Sequence, residues 1–243
     1  MSLNRRVVVS SLVGLAAVGG GAFWLTRADK QAAMSAPVAP PAAAGPTPTP
    51  TPTPAPTPAP VAAGGDVRET VRAIGADSAP VTVTEFFSLT CSHCAAFARE
   101  VFPDIKAKLI DTGRVRWVFA DYPLDRIALS ATMVARSLPP DMYEPFVMAL
   151  FQSQMRWAFN STIDPIDALA KEAALAGMPR DQFDKVIGDT DLQNFVMKER
   201  SDATAKYNID STPTFVVKGP KGEQQKAGEM SYDLFTQFIA SVS

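Results

Sequence analysis

Two cysteines stand three positions apart in the run Cys91-Ser92-His93-Cys94; they are the only cysteines of the chain, and His93 between them is its only histidine. A loop of two residues removes too little chain entropy to staple a fold. A structural zinc site needs four ligands, usually from two such pairs. With both uses set aside, two thiols remain that are close enough to form and break a disulfide. The competing reading is a pair of inert core cysteines. On the redox reading the Cys91–Cys94 disulfide is itself the reactive group, and neither a cofactor nor a metal is expected.

The neighbouring residues give the two sulfurs different characters. The pair follows an apolar, β-branched run (Val81 to Phe87) and opens a helical pattern. That places Cys91 at a helix N-terminus, where unpaired N–H groups and the positive end of the helix dipole favour a thiolate. A cationic or hydrogen-bonding His93 favours it further. Cys94 lies one turn deeper. Cys91 is therefore the exposed partner in exchange and Cys94 the resolving thiol. A lowered Cys91 pKa stabilises the reduced form and makes the disulfide a better oxidant. Six residues upstream, Glu85 falls by strand alternation on the face of Val81, Val83 and Phe87. Two readings stay open for it: a desolvated acid exchanging a proton with Cys94, or a strand-end carboxylate turned to solvent.

The elements that position these residues read as β-α-β, then a helical block, then β-β-α. Strands are expected over 81–87, 115–120, 214–218 and 224–227, with a tight turn at 219–222. One helix is expected from Cys91 to Asp111, ending at Gly113. From Asp125 to Tyr207 the pattern is helical, with Pro139-Pro140 separating two helices and Asp164-Pro165 a well-formed helix start. A closing helix over 231–242 carries Leu234, Phe235, Phe238 and Ile239 on one face. Trp117, Phe119, Trp157 and Phe159 read as core and cap residues. The methionines from Met133 to Met155 either fill core or line a peptide-binding groove.

The 243 residues are 47% hydrophobic and 20% charged, a globular composition. The first part of the chain differs. Arg5-Arg6 precede 19 uncharged residues, Val7 to Leu25. As a helix these reach roughly 28 Å, enough to cross a hydrocarbon core, and no A-x-A cleavage pattern follows. Residues 1–28 read as an export signal, an uncleaved anchor in preference to a cleaved peptide. Arg5-Arg6 reads as an ordinary basic leader before a twin-arginine signal. Residues 37–60 hold 11 of the 21 prolines. The stretch 29–65 is thus a linker, of which Pro46 to Pro60 in polyproline II extends roughly 46 Å. The remainder, 66–243, is net −5 with no basic run, which argues against a nucleic-acid partner.

The run from Ala79 through Glu85-Phe86-Phe87 to Cys91-Ser92-His93-Cys94 resembles the DsbA family of thiol:disulfide oxidoreductases. Asp111-Thr112-Gly113, Tyr122-Pro123-Leu124 and Ser211-Thr212-Pro213-Thr214-Phe215 strengthen the likeness, which covers roughly residues 70–243. It implies an α/β thioredoxin fold with an inserted helical domain, at about 125–200, capping the site. It also implies a buried acid at Glu85 and a cis peptide before Pro213. The backbone at Thr212 and Pro213 would pair with the substrate chain, as an added strand does. The implied activity is disulfide introduction into unfolded or reduced exported proteins, on the periplasmic face of the inner membrane, with a quinone-linked membrane partner restoring the disulfide. Two positions bear on direction: Ser92 replaces the Pro of the best-known oxidants, and Thr212 replaces their Val and matches related isomerases. A reductase or isomerase is therefore the alternative, and a tethered thioredoxin-like binding module or holdase the second alternative.

Overall fold

The structure is a computed structural model that describes residues 65–243. The expected anchor (1–28) and all but the last residue of the expected linker (29–65) lie outside the described residues. Buried and half-buried side chains alternate along β3 (Val115–Asp121) and over the first half of β2 (Val81–Phe87), whose last three residues are all buried; the two strands pair in parallel from Val81 with Val115 to Phe87 with Asp121. β4 (Thr214–Gly219) fills the other edge of β2 antiparallel, with Glu85 opposite Phe215, and β5 (Gly222–Ala227) returns beside β4. A short strand, β1 (Arg72–Ile74), pairs antiparallel with β3. Its three residues are too few to show a period of two, so the sequence gives no sign of it. The order across the sheet is β1-β3-β2-β4-β5. This is the expected α/β thioredoxin fold.

The helix expected from Cys91 to Asp111 is in fact three pieces. α1 (Ser92–Glu100) ends at Val101, α2 (Phe102–Ile105) begins beside Pro103, and a π-turn (Lys106–Ile110) finishes the segment. Pro103 has no N–H to bond back to residue 99 and its ring crowds that carbonyl, so the ladder breaks there. Between β3 and β4 lie α3 (Arg126–Ser137), α4 (Tyr143–Trp157), α5 (Pro165–Leu175), α6 (Arg180–Ile187) and α7 (Thr190–Tyr207). Pro139-Pro140 does part α3 from α4, and Asp164 caps α5 through its carboxylate. α8 (Tyr232–Ala240) closes the fold.

One face of the sheet receives α1 and α8. Phe97, Trp117, Phe215 and Phe235 form an aromatic cluster there, all nearly inaccessible, with ring centroids 4.7–6.2 Å apart. The other face carries a smaller cluster of Phe86, Tyr122, Ile209 and Val216, with Tyr207 of α7 against it. On α8, Phe235 and Ile239 are buried, but Leu234 is half-exposed. One residue is a 100° turn of helix, which takes Leu234 off the apolar stripe. Trp117, Phe119 and Trp157 are core residues as expected, whereas Phe159 is half-exposed. Met133 is buried and Met155 lies in solvent, so the methionines are not a single class.

The helical block is tied to the sheet by a buried ionic knot. Arg136 Nε of α3 donates to Asp121 Oδ2 at the end of β3 (2.6 Å), Tyr143 of α4 donates to Oδ1 (2.8 Å), and Arg72 of β1 donates to the Arg136 carbonyl (2.9 Å). Removing one partner of such a pair strands the other charge out of water, typically at about 3–5 kcal/mol.

Candidate functional site

β2 delivers the chain to the turn Ser88–Cys91, closed by the Cys91 N–H on the Ser88 carbonyl (3.0 Å), and Cys91 becomes the N-cap of α1. In that role its Sγ accepts from the Cys94 N–H at 3.4 Å. Both cysteines are free thiols. A sliver of Cys91 reaches solvent (9%), whereas Cys94, one turn deeper on the buried side of α1, has none (0%).

The surroundings drive the two sulfurs in opposite directions. Cys91 is held down to about 5, chiefly by the Cys94 thiol that donates to it, against the opposing effect of burial. The neighbouring Thr212 lowers it further, as do the N–H groups of Cys94 and His93. The protonated Cys91 thiol has its own acceptor in the Thr212 carbonyl, at 3.3 Å. Cys94 is pushed well above the usual thiol range, first by burial and then by donating to Cys91. One sulfur is therefore a thiolate at neutral pH and its neighbour a thiol.

Glu85 lies on the apolar face of β2 and is buried (3%), so the solvent-facing alternative does not hold. Burial raises its carboxyl to about 8, against a hydrogen bond from Trp117 Nε1 to Oε2 (3.2 Å). Its charge is felt at Cys94. The Thr212–Pro213 peptide is cis, as the resemblance implied. Cys91, Cys94, Glu85 and Thr212 thus come together around the two sulfurs, although they belong to three separate elements.

The backbone N–H of His93 favours the Cys91 thiolate, and its imidazole is two-thirds exposed, with Nδ1 3.3 Å from Glu229 Oε1. Glu229 went unnoticed in the sequence because it sits in a connection with no periodicity. Gln154 also went unnoticed. It is buried on α4, and its Nε2 donates to the carbonyls of Leu89 (2.9 Å) and Cys91 (3.0 Å), linking the helical block to the redox turn. A signal for it existed: Leu150, Gln154 and Trp157 share one helix face, so a polar group sits on an apolar stripe. The Cys91 carbonyl keeps Ala95 as a donor, but the Leu89 carbonyl loses one if Gln154 is removed. Gln154→Leu is expected to lower stability by about 1–3 kcal/mol, read as a lower urea midpoint with an unchanged slope.

Residues 67–239 match the family model described as Thioredoxin. The chain is similar to α-DsbA1 of Wolbachia pipientis, with 30% identity over 73% of this chain and 96% of that one, and a TM-score of 0.65. It is 29% identical to disulfide bond formation protein D of Bacillus subtilis, over 59% of this chain and 66% of that one. It is 24% identical to a Rickettsia prowazekii protein named as a protein-disulfide oxidoreductase, over 65% of this chain. The match spans 58% of that relative's length.

Proposed function

Because the chain belongs to the DsbA family of thiol:disulfide oxidoreductases, we propose that it runs thiol–disulfide exchange in the oxidising direction, introducing disulfides into reduced exported proteins. A substrate thiolate attacks Cys91 Sγ of the Cys91–Cys94 disulfide. The intramolecular S–S bond breaks, and Cys94 leaves and takes a proton, for which the protonated Glu85 carboxyl is the nearby donor. A second substrate thiolate then attacks the substrate sulfur of the mixed disulfide and expels Cys91 as a thiolate. The substrate has lost two electrons and this protein has gained them. Thr212 and Pro213 present the backbone edge beside which the substrate chain lies. A quinone-linked membrane partner returns the pair to the disulfide. No cofactor or metal enters these steps. On this proposal residues 1–28 anchor the chain in the inner membrane, 29–65 hold the domain off its surface, and the periplasm is its compartment.

The single observation that carries the direction is the Cys91 thiolate at about 5. In the unfolded chain that thiol has its ordinary value of 9.0 and is protonated at pH 7. A depressed folded pKa stabilises fully above the unfolded value and is lost as pH falls through the folded one. The stabilisation of the reduced form is therefore largest above pH 9 and gone below 5. At pH 7 it is about 3 kcal/mol, at about 1.4 kcal/mol per pH unit. For a two-electron couple that moves the potential by roughly 60 mV in the oxidising direction. The test is the reduction potential of the pair, by equilibration in glutathione buffers with alkylation as readout. A value near about −120 mV is expected, as for DsbA. One near about −270 mV, as for thioredoxin, would reverse the direction and favour the reductase or isomerase that Thr212 points toward.

A further inference from the structure

Each residue of the redox turn Ser88–Cys91 is hydrogen-bonded to the inserted helices or their entry. Gln154 Nε2 of α4 donates to the carbonyls of Leu89 (2.9 Å) and Cys91 (3.0 Å). Two carbonyls can only accept, so the amide nitrogen must face them. From the other side, the Leu124 N–H at the entry to α3 donates to Ser88 Oγ (3.3 Å), and Thr90 Oγ1 donates to Asp125 Oδ2 (2.6 Å). Asp125 is itself fixed, since its other oxygen accepts from the Ala128 N–H (2.8 Å) as the N-cap of α3. Successive residues are thus held from alternate sides, Ser88 and Thr90 by the start of α3, Leu89 and Cys91 by α4. A further bond, from Arg99 Nη1 to the Phe151 carbonyl (3.2 Å), ties the last turn of α1 to α4. Ser88, Leu89, Cys91 and Gln154 are buried, so water does not readily replace a lost partner.

One redox state needs this holding more than the other. As the N-cap of α1, Cys91 keeps an extended backbone (φ −78°, ψ 121°). That conformation turns Sγ back over the Cys94 N–H (3.4 Å), with the Thr212 carbonyl 3.3 Å away. In the disulfide, the S–S bond itself ties Cys91 to α1. In the dithiol that bond is gone, and the place of Sγ depends on the backbone on either side of it. The helix supplies one side, through the Ala95 N–H on the Cys91 carbonyl (3.1 Å), and the clamped turn supplies the other. We propose that Gln154, with the Thr90–Asp125 pair, is a positioning residue through which the inserted helices hold Cys91 in its N-cap geometry in the reduced protein, adding to the oxidising power of the pair. The inference rests on Cys91 and Cys94 being a working redox couple.

The experiment equilibrates the full-length protein with glutathione at neutral pH and compares it with Gln154→Met, Thr90→Val, Thr90→Ser and Val186→Ala. Met fills the volume of Gln without its donor, and Val does the same for Thr. Val186 is a buried residue of α6, and its truncation loosens the same helices without removing a bond to the turn. Urea unfolding of each variant, run alongside, gives its stability. Gln154→Met is expected to shift the equilibrium constant toward the disulfide by about two- to ten-fold, the net worth of one hydrogen bond, and Thr90→Val shifts it the same way. Thr90→Ser keeps the hydroxyl and returns the constant to that of the parent. Val186→Ala lowers the urea midpoint and leaves the constant in place. The proposal is overturned if Gln154→Met has the parent's constant, or if Val186→Ala shifts it as far. Should Gln154→Met not fold, Thr90→Val decides on the same terms. If the parent does not exchange with glutathione at all, the redox reading itself fails and takes this proposal with it.

Discussion

Replacing Cys91 with Ser brings oxidation of a reduced test protein down to the rate in buffer alone, because no disulfide can then form with Cys94. Cys94→Ala has a different signature when glutathione disulfide is supplied, one mixed-disulfide adduct per chain, since the Cys91 thiolate attacks the added disulfide and expels one glutathione thiolate, and no Cys94 is present to release the adduct. Both outcomes are read on non-reducing gels and by mass. The magnitudes also say why a low Cys91 pKa matters. Moving a thiol from 9.0 to about 5 raises its thiolate fraction at pH 7 about a hundredfold. Its intrinsic nucleophilicity falls by roughly 40- to 100-fold over the same interval, for a Brønsted coefficient of about 0.4–0.5. As an attacking group Cys91 gains almost nothing. As the group expelled when a substrate resolves the mixed disulfide it gains a great deal, and that step belongs to an oxidant. Cys91→Ser protein that still oxidised the test substrate would end this account.

Glu85→Gln should stabilise the reduced protein at neutral pH, in a way that pH itself reveals. Burial lifts the carboxyl from 4.5 to about 8. An acid raised on folding costs nothing below its unfolded value, grows more costly as pH rises, and reaches its full penalty above the folded value. The wild-type protein should therefore lose stability relative to Glu85→Gln between pH 4.5 and about 8, by about 1.4 kcal/mol per pH unit. The accumulated difference at pH 7 is about 3 kcal/mol. The Gln amide keeps an acceptor for Trp117 Nε1, and any misfit of its NH2 adds an offset that does not vary with pH. Urea unfolding of the reduced proteins across this range measures the gap, and a gap independent of pH would mean that Glu85 is not held neutral. The same variant takes away the proton donor assigned to Cys94, so its exchange should slow even as its fold gains.

What could be read from the sequence followed from periodicity and punctuation. β3 alternates along its length and β2 over Val81–Thr84, Asp164-Pro165 and Pro139-Pro140 mark helix limits, and the CxxC spacing needs no tertiary information. Glu85 shows how far alternation reaches. It put the carboxyl on the apolar face of its strand but was silent on whether that face is covered, which depends on Trp117, Phe97 and Phe215 arriving from elsewhere. The site groups that escaped notice are those whose meaning is wholly tertiary. Gln154 counts only because α4 lies over the redox turn, and Glu229 only because the β5–α8 connection passes the mouth of α1. Pro103 was legible in principle, as a helix breaker inside an apolar pattern, and the run of helix formers around it hid the break.

The strand order has a bearing on how the chain reaches this structure. β2 pairs with β3 through a short crossover, so one side of the sheet can assemble from residues 72–121 alone. Its other edge must wait for β4, which the chain delivers only after all five helices of the inserted block. Until then the central strand presents an open row of N–H and C=O groups, the kind of edge that templates pairing with another chain. Closing it demands contacts of long sequence separation, which are slow to form, although each doubling of the intervening loop adds only about 0.6 kcal/mol of closure entropy. The helical block, knotted to the end of β3 through Arg136 and Asp121, returns the chain to the sheet at the start of β4. The strand that brings Thr212 and Pro213 beside Cys91 is thus also the one that seals the nascent sheet, so redox competence and protection from aggregation are gained in the same step.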